Sequence, residues 1–267
     1  MGEYATVLPI VRIPQILMIL SDLGPKHSAL STSGDVELRN PDRRRVLVAG
    51  SACAASLVLP NAFAQPGRCV VTPDSGEGPF YFDPSLMRYD ITSGRLGAPL
   101  DVAVQITRLR NCAPLAGVRF DLWQADGLGL YSGYRDQPGV GGVDAAATVG
   151  ATFLRGTQLT DADGWVRFKT VYPSWYGGRT PHLHFKVFVD SKEVIATQIF
   201  FDDEVNAEIF NNWDPYREHV RKRTSFNNND TFLDRDKDGR TDGLFCQVEK
   251  YERGSGVTAK AIVTVDA

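Results

Sequence analysis

Apolar and polar residues alternate with period two over several short stretches, and turn-forming residues separate those stretches. Leu100, Val102, Val104 and Ile106 interleave with Asp101, Ala103, Gln105 and Thr107, which predicts a strand with one apolar face. Val118, Phe120 and Leu122 repeat the pattern and run into Trp123-Gln124-Ala125-Asp126. The run 160–164 reads as a hairpin-type turn that starts another strand through Val166, Phe168 and Thr170. Next, Leu183, Phe185, Val187 and Val189 interleave with His182 and His184. After a turn at 190–193 a strand follows over 194–201, with Gln198 on the face of Val194, Ala196 and Phe200. Val257, Ala259, Ala261, Val263 and Val265 form a last alternating run.

This pattern predicts an all-β fold, a β-sandwich with long loops and little helix, as a single domain over 65–267. Helical spacing is confined to 202–223, where Val205, Ile209, Trp213 and Tyr216 recur and Pro215 interrupts. Residues 68–82 and 227–243 read as loops, and the glycine-rich run 136–150 as a mobile loop with little to bury.

The first 64 residues stand apart. Arg43-Arg44-Arg45, an apolar run from Val46 to Leu59 and the small-x-small Ala62-Phe63-Ala64 read as an export signal cut after Ala64. Arg43-Arg44 with Val46-Leu47 resembles a twin-arginine signal, which carries folded proteins outward. Gly50 stands where a lipoprotein signal ending at Cys53 needs Leu. Upstream, residues 7–20 are apolar but broken by Pro9, Arg12 and Pro14, too interrupted to span a bilayer, which points to a start codon assigned too early. The expectation is therefore an exported mature chain from Gln65 with no membrane segment. No long helical dimerisation segment follows Gln65, so that chain reads as a monomer.

Composition narrows function by exclusion. A net charge of -3 carries no basic field for nucleic acid, and 43% hydrophobic with 23% charged residues is ordinary for a globular chain. Removing Cys53 with the signal leaves Cys69, Cys112 and Cys246, which in an oxidising compartment implies one disulfide and one free thiol. No C-x-x-C is present, so a zinc knuckle is excluded. The run 234–239 matches the start of a calcium loop, but Phe245 holds the twelfth position where a bidentate acid is needed, so it reads as a solvated turn.

The chemistry concentrates in residues 172–188, YPSWYGGRTPHLHFKVF. Side chains at i and i+2 of a strand share a face, so His182 and His184 point one way and the apolar set the other. Neutral imidazoles suit zinc, copper, iron or nickel. No carboxylate lies in this strand or the loop before it; the nearby donors are the phenols of Tyr172, Tyr176, Tyr131 and Tyr134. A phenol of pKa about 10 is a poor ligand for a weakly charged ion, whereas a hard ferric ion holds tyrosinate. Two tyrosinates and a hydroxide would balance its three positive charges.

The motifs GEGPFYFDPSLMRYDI, C-x-P-L-x-G, DLWQADGLGLYSGY and GTQLTDADGWVRFKTVYPSWYGGRTPHLHFKV, in that order, resemble the intradiol ring-cleavage dioxygenases, especially their exported single-domain members. The resemblance implies a prealbumin-like sandwich and a non-haem Fe(III) site on Tyr131, Tyr176, His182 and His184, with Arg179 and Gln198 beside it. Tyr134 and Tyr172 become packing residues. It further implies cleavage of catechol-type rings with O2, between the two hydroxylated carbons, to cis,cis-muconate-type products. No organic cofactor or external reductant is needed. Tyr176 is the phenolate implied to leave the metal and accept a substrate proton, Arg179 to stabilise charge on the ring, and Gln198 to hydrogen-bond the reacting group. Cys69 and Cys112 fall inside the resembling segments, which implies that they pair and leave Cys246 buried and free.

Two other readings belong to different classes. A non-catalytic exported β-sandwich binding module would keep the shape without needing Tyr, Tyr, His, His and Arg together. A zinc hydrolase built on H-x-H would need an acidic or third histidine ligand nearby.

Overall fold

A computed structural model describes residues 69–83, 85–137, 145–219, 222–233, 241, 243–252 and 256–267. The export signal, its cut after Ala64, the upstream start and the 234–239 turn lie outside the described residues.

The alternating stretches pair into two four-stranded sheets. One holds β1 (Pro99–Arg108), β4 (Trp165–Val171), β7 (Gln247–Glu252) and β8 (Gly256–Val265) in the order β4-β1-β8-β7. The other holds β2 (Arg119–Gln124), β3 (Arg155–Leu159), β5 (His182–Val189) and β6 (Lys192–Phe200) in the order β3-β2-β5-β6. β1 and β8 run parallel, with Leu100 opposite Val257 and Ile106 opposite Val263. The period-two apolar sets meet in one buried cluster: Leu100, Val102, Val104 and Ile106 with Phe120, Leu122, Val166, Phe168, Leu183, Phe185 and Val187. The all-β sandwich read from the sequence is the architecture observed.

Three local expectations change. The turn at 160–164 forms, with Gly164 N donating to Asp161 O at 3.0 Å, but its flanks separate: β3 pairs with β2 while β4 pairs with β1. It carries the chain between sheets, because Gly164 lies against Ile106 O of β1, where a Cβ would come within 2.7 Å. The hairpin between β5 and β6 is tighter than expected, a two-residue turn at Asp190 and Ser191, both at positive φ as a primed turn requires. In the glycine-rich loop, Ala145–Thr148 forms a short 3-10 turn, and buried Thr148 donates through Oγ1 to Tyr134 O at 2.8 Å.

The helical region yields one helix, α1 (Asp203–Asn212), with Asp203 and Glu204 in its first turn. Ile209 and Phe210 are buried, and Trp213 leaves the helix in extended conformation before Pro215. Among the described residues no helix is long and apolar enough to cross a membrane. Cys69 and Cys112 form a disulfide with Cα atoms 5.7 Å apart, and Cys246 is free and buried, as the resemblance implied.

Candidate metal centre

The site lies on the outer face of the second sheet. His182 and His184 share that face of β5, and the register sets His184 beside Trp123 of β2 and Gln198 of β6. The alternation alone set the pair on one face without deciding whether that face is covered. Both are buried, at 1% and 0% exposure, because the lead-in before β1 folds over this face. Gly76 N donates to Ala196 O at 2.8 Å, Tyr81 OH donates to Asp121 at 2.8 Å, and the Tyr81 ring packs on Trp123 at 4.8 Å.

Tyr131 arrives from the turn after β2 and Tyr176 from the loop between β4 and β5. The Tyr131 hydroxyl is 3.2 Å from His182 Nε2, 3.0 Å from His184 Nε2 and 3.3 Å from the Tyr176 hydroxyl. The Tyr176 hydroxyl is 3.2 Å from His182 Nε2, and the two Nε2 atoms are 2.9 Å apart. The Tyr131 hydroxyl and His182 Nε2 are thus each within 3.3 Å of the other three donors, and the two phenol oxygens and two imidazole nitrogens gather at one place.

Each donor is held by packing. His182 Nδ1 donates to Thr180 O at 2.6 Å, so its Nε2 offers a lone pair to the cluster. His184 stacks flat on Trp123, centroids 5.0 Å apart and planes 11° apart. Gly78 lies against its Cε1 edge, and a Cβ there would sit 3.0 Å from His184 Cε1. Tyr131 stacks on Phe80 at 4.6 Å, and its backbone N donates to Gln137 Oε1 at 2.7 Å.

Electrostatics suit a hard cation. Burial, and then nearby Arg179, hold both imidazoles well below the usual histidine value, so they are neutral and able to ligate. Burial pushes the Tyr131 phenol well above 10, and the Tyr176 phenol upward with Arg179 opposing. Buried phenols ionise only beside a compensating positive charge, and a trivalent ion supplies it. The donor set therefore fits a ferric ion. Among the described residues no group of three or more His, Cys, Asp or Glu is placed to hold a metal.

Arg179, 5% exposed, borders the donors. Its Nη1 donates to the Tyr176 hydroxyl at 3.4 Å, and its Nη2 donates to Gln198 Oε1. All six residues named from the sequence therefore lie together. Tyr134 and Tyr172 stay outside: Tyr134 OH donates to Tyr81 O at 2.6 Å, and Tyr172 OH donates to Asn206 Oδ1 at 2.8 Å in the core.

Sequence reading missed four residues here. Trp123 and Phe80 brace His184 and Tyr131; Trp123 was detectable, since it alternates with Asp121 on the face opposite Phe120 and Leu122. Arg155, fully buried, donates to Ser132 Oγ and O at 2.8 Å each and lies over Phe82 at 4.1 Å, where its charge favours Tyr131 ionisation. Asp230, 0% exposed, accepts from Arg179 Nε at 3.1 and 3.3 Å and had no local signal.

A family model described as Dioxygenase matches residues 77–224. The chain is similar to catechol 1,2-dioxygenase 1 of Acinetobacter lwoffii, 27% identical over 48% of this chain and 45% of that protein. The chain thus matches less than half the length of that relative. Among solved structures it is similar to an intradiol ring-cleavage dioxygenase from Tetranychus urticae, with a TM-score of 0.65 and 28% identity over 74% of this chain and 95% of that one. It also resembles the dioxygenase domain of a carbohydrate-binding fusion protein from Streptomyces sp. SirexAA-E, with a TM-score of 0.50 and 28% identity over 74% and 99%. With the family match spanning most of the sheet that carries the donors, and the same architecture in a relative of known structure, the chain belongs to the intradiol ring-cleavage dioxygenase family.

Proposed function

We propose that this chain is a non-haem Fe(III) dioxygenase that cleaves catechol-type rings between their two hydroxylated carbons. The observation that carries the reading is the convergence of two phenols and two neutral imidazoles, with the Tyr131 hydroxyl and His182 Nε2 each within 2.9–3.3 Å of the other three donors. Tyr131, Tyr176, His182 and His184 would hold the ion. A ferric ion held there would supply the Lewis-acid chemistry that activates a catechol toward O2. The balance is closed: one ring C–C bond and the O–O bond break, both oxygen atoms enter the product, and a cis,cis-muconate-type diacid results. No reductant is consumed.

The chain's own residues supply proton handling and orientation. A catechol that binds as a dianion must give up two protons. Tyr176 would take one on its Oη, since at 8% it is the most exposed of the four and sits on a loop while both histidines sit on a strand, and the hydroxide of the charge balance would take the other. Arg179 Nη1 and Nη2 point into the same space and would stabilise negative charge on the ring. Gln198 accepts from Arg179 through Oε1, which leaves its amide N–H free to donate. Phe80 and Trp123 keep water from the donors.

The expected leader and the Cys69–Cys112 disulfide support export of the mature chain to an oxidising compartment. The test is to load purified protein with iron and measure iron content, visible absorption and O2 uptake with catechol, protocatechuate and hydroxyquinol. A wine-red protein whose colour shifts with substrate and which consumes one O2 per ring is the expected result. A colourless, iron-free protein that takes up no O2 with any of them sinks the proposal.

A further inference from the structure

Arg179 has five N–H donors in a rigid fork, and its direction decides whether it can serve the site. The edge away from the donors is tied to Asp230, with Nε 3.1 Å from Oδ2 and 3.3 Å from Oδ1. That carboxylate is itself anchored. Thr180 N donates to Oδ2 at 2.7 Å, while Phe232 N and Leu233 N donate to Oδ1 at 2.9 and 3.3 Å. The Phe232 ring covers one face of the guanidinium, 4.2 Å from its carbon. Only Nη1 and Nη2 then remain to face Tyr176 and Gln198.

The segment that brings Asp230 is fastened to the sandwich by separate contacts. Asn227 Nδ2 donates to Phe201 O at 2.8 Å, Asn227 N donates to Asp203 Oδ2 at 3.0 Å, and Thr180 Oγ1 donates to Asn227 Oδ1 at 3.0 Å. Asp230 lies beyond residue 224, where the family match ends.

We propose that Asp230 is the positioning residue of Arg179, and that residues 224–233 therefore belong to the active site. The proposal rests on the functional reading above, in which Arg179 acts on the ring. Charge supports it. A ferric ion with two tyrosinates and a hydroxide sums to zero, so a buried guanidinium beside them needs its own counter-charge, and Asp230 supplies one that is fully buried. The carboxylate binds the rear edge and leaves the front edge free to meet substrate.

The test compares wild type, D230N, R179Q and the double variant in iron-loaded enzyme. D230N should lower kcat about 10²-fold, the cost of a small misplacement, with KM changed less than about threefold. On the R179Q background it should add nothing, because Asp230 acts only through Arg179. A second readout uses iron-free protein: 15N NMR should show a slowly exchanging Arg179 Nε–H in wild type and a fast one in D230N. An unchanged kcat in D230N, or an equal loss on both backgrounds, overturns the proposal. If D230N does not fold, the wild-type signal decides: rapid Nε–H exchange overturns it and slow exchange supports it. If wild type cleaves no catechol, the functional reading fails, and the same NMR signal still judges the Arg179–Asp230 pairing separately.

Discussion

The Tyr131 hydroxyl lies 3.0 Å from His184 Nε2, although 53 positions separate the two residues. The contact exists because β2 pairs directly with β5, so the turn that ends β2 comes down over the histidine face. Trp123, opposite His184 in that register, completes the wall.

This arrangement separates donors from their supports. H184A should abolish iron retention and lower kcat/KM by more than the roughly 10–100-fold that follows loss of an outer partner. W123L removes only the ring stacked on His184, and should weaken iron binding within that 10–100-fold range. Iron content after dialysis against a chelator, with steady-state kinetics, checks both. Equal effects of the two variants would contradict the assignment.

Gly78 has φ +73 and lies against the Cε1 edge of the His184 ring. Ala there would meet His184 Cε1 at 3.0 Å and would sit in left-handed backbone, at a cost of about 1–2 kcal/mol. G78A should lower the melting temperature by several degrees and weaken iron binding as well, since the ring must move. G76A serves as the control, because no atom lies within 4 Å of its added Cβ and its φ is likewise positive. Chelator competition should find iron affinity reduced in G78A and unchanged in G76A.

The buried histidines make iron-free protein acid-sensitive. Both folded-state pKa values lie well below 6.5, so below pH 6.5 the unfolded chain takes up protons that the folded chain does not. Their stability contribution is full above 6.5 and is lost as pH falls towards the folded values, at up to about 1.4 kcal/mol per unit for each histidine. Urea unfolding midpoints should be flat from pH 8 to 7 and decline from 6.5 to 5. A flat profile across that lower range would show that the pair is not buried in neutral form.

Thiol chemistry checks the cysteine assignment. Burial pushes the Cys246 thiol up to about 12, leaving roughly 10⁻⁴ of it as thiolate at pH 8. A chain beginning at Gln65 should show no reactive thiol when native, one after denaturation and three after denaturation with reduction. Closing a loop with a sequence separation of 43 stabilises by about 4 kcal/mol in the chain-entropy account, so C69S/C112S should melt well below wild type. Three thiols in native protein would rule out the disulfide.

What could be read from the chain alone follows a physical line. A strand's period sets which side chains share a face, and that is local, so Leu100 to Ile106, Phe120 with Leu122, and His182 with His184 were assigned without coordinates. The family resemblance implied Tyr131, Tyr176 and Arg179 within its motifs and Gln198 in the strand after them. Short β3 escaped detection: its five residues RGTQL carry little alternation, and pairing with β2 makes it a strand.

Tertiary structure decided the rest. Period two says that His182 and His184 face one way, but not that the lead-in covers that face and excludes water. Nor could it say that Asp230, 51 positions after Arg179, holds the guanidinium's rear edge. Contacts of that kind depend on how separate elements pack, and no local propensity encodes them. The histidine pair was legible because it is spacing within one strand, and the choice of Tyr131 and Tyr176 among four nearby tyrosines came from the family resemblance. The donors' burial, protonation and aim were not legible, because those depend on distant segments brought together by the fold.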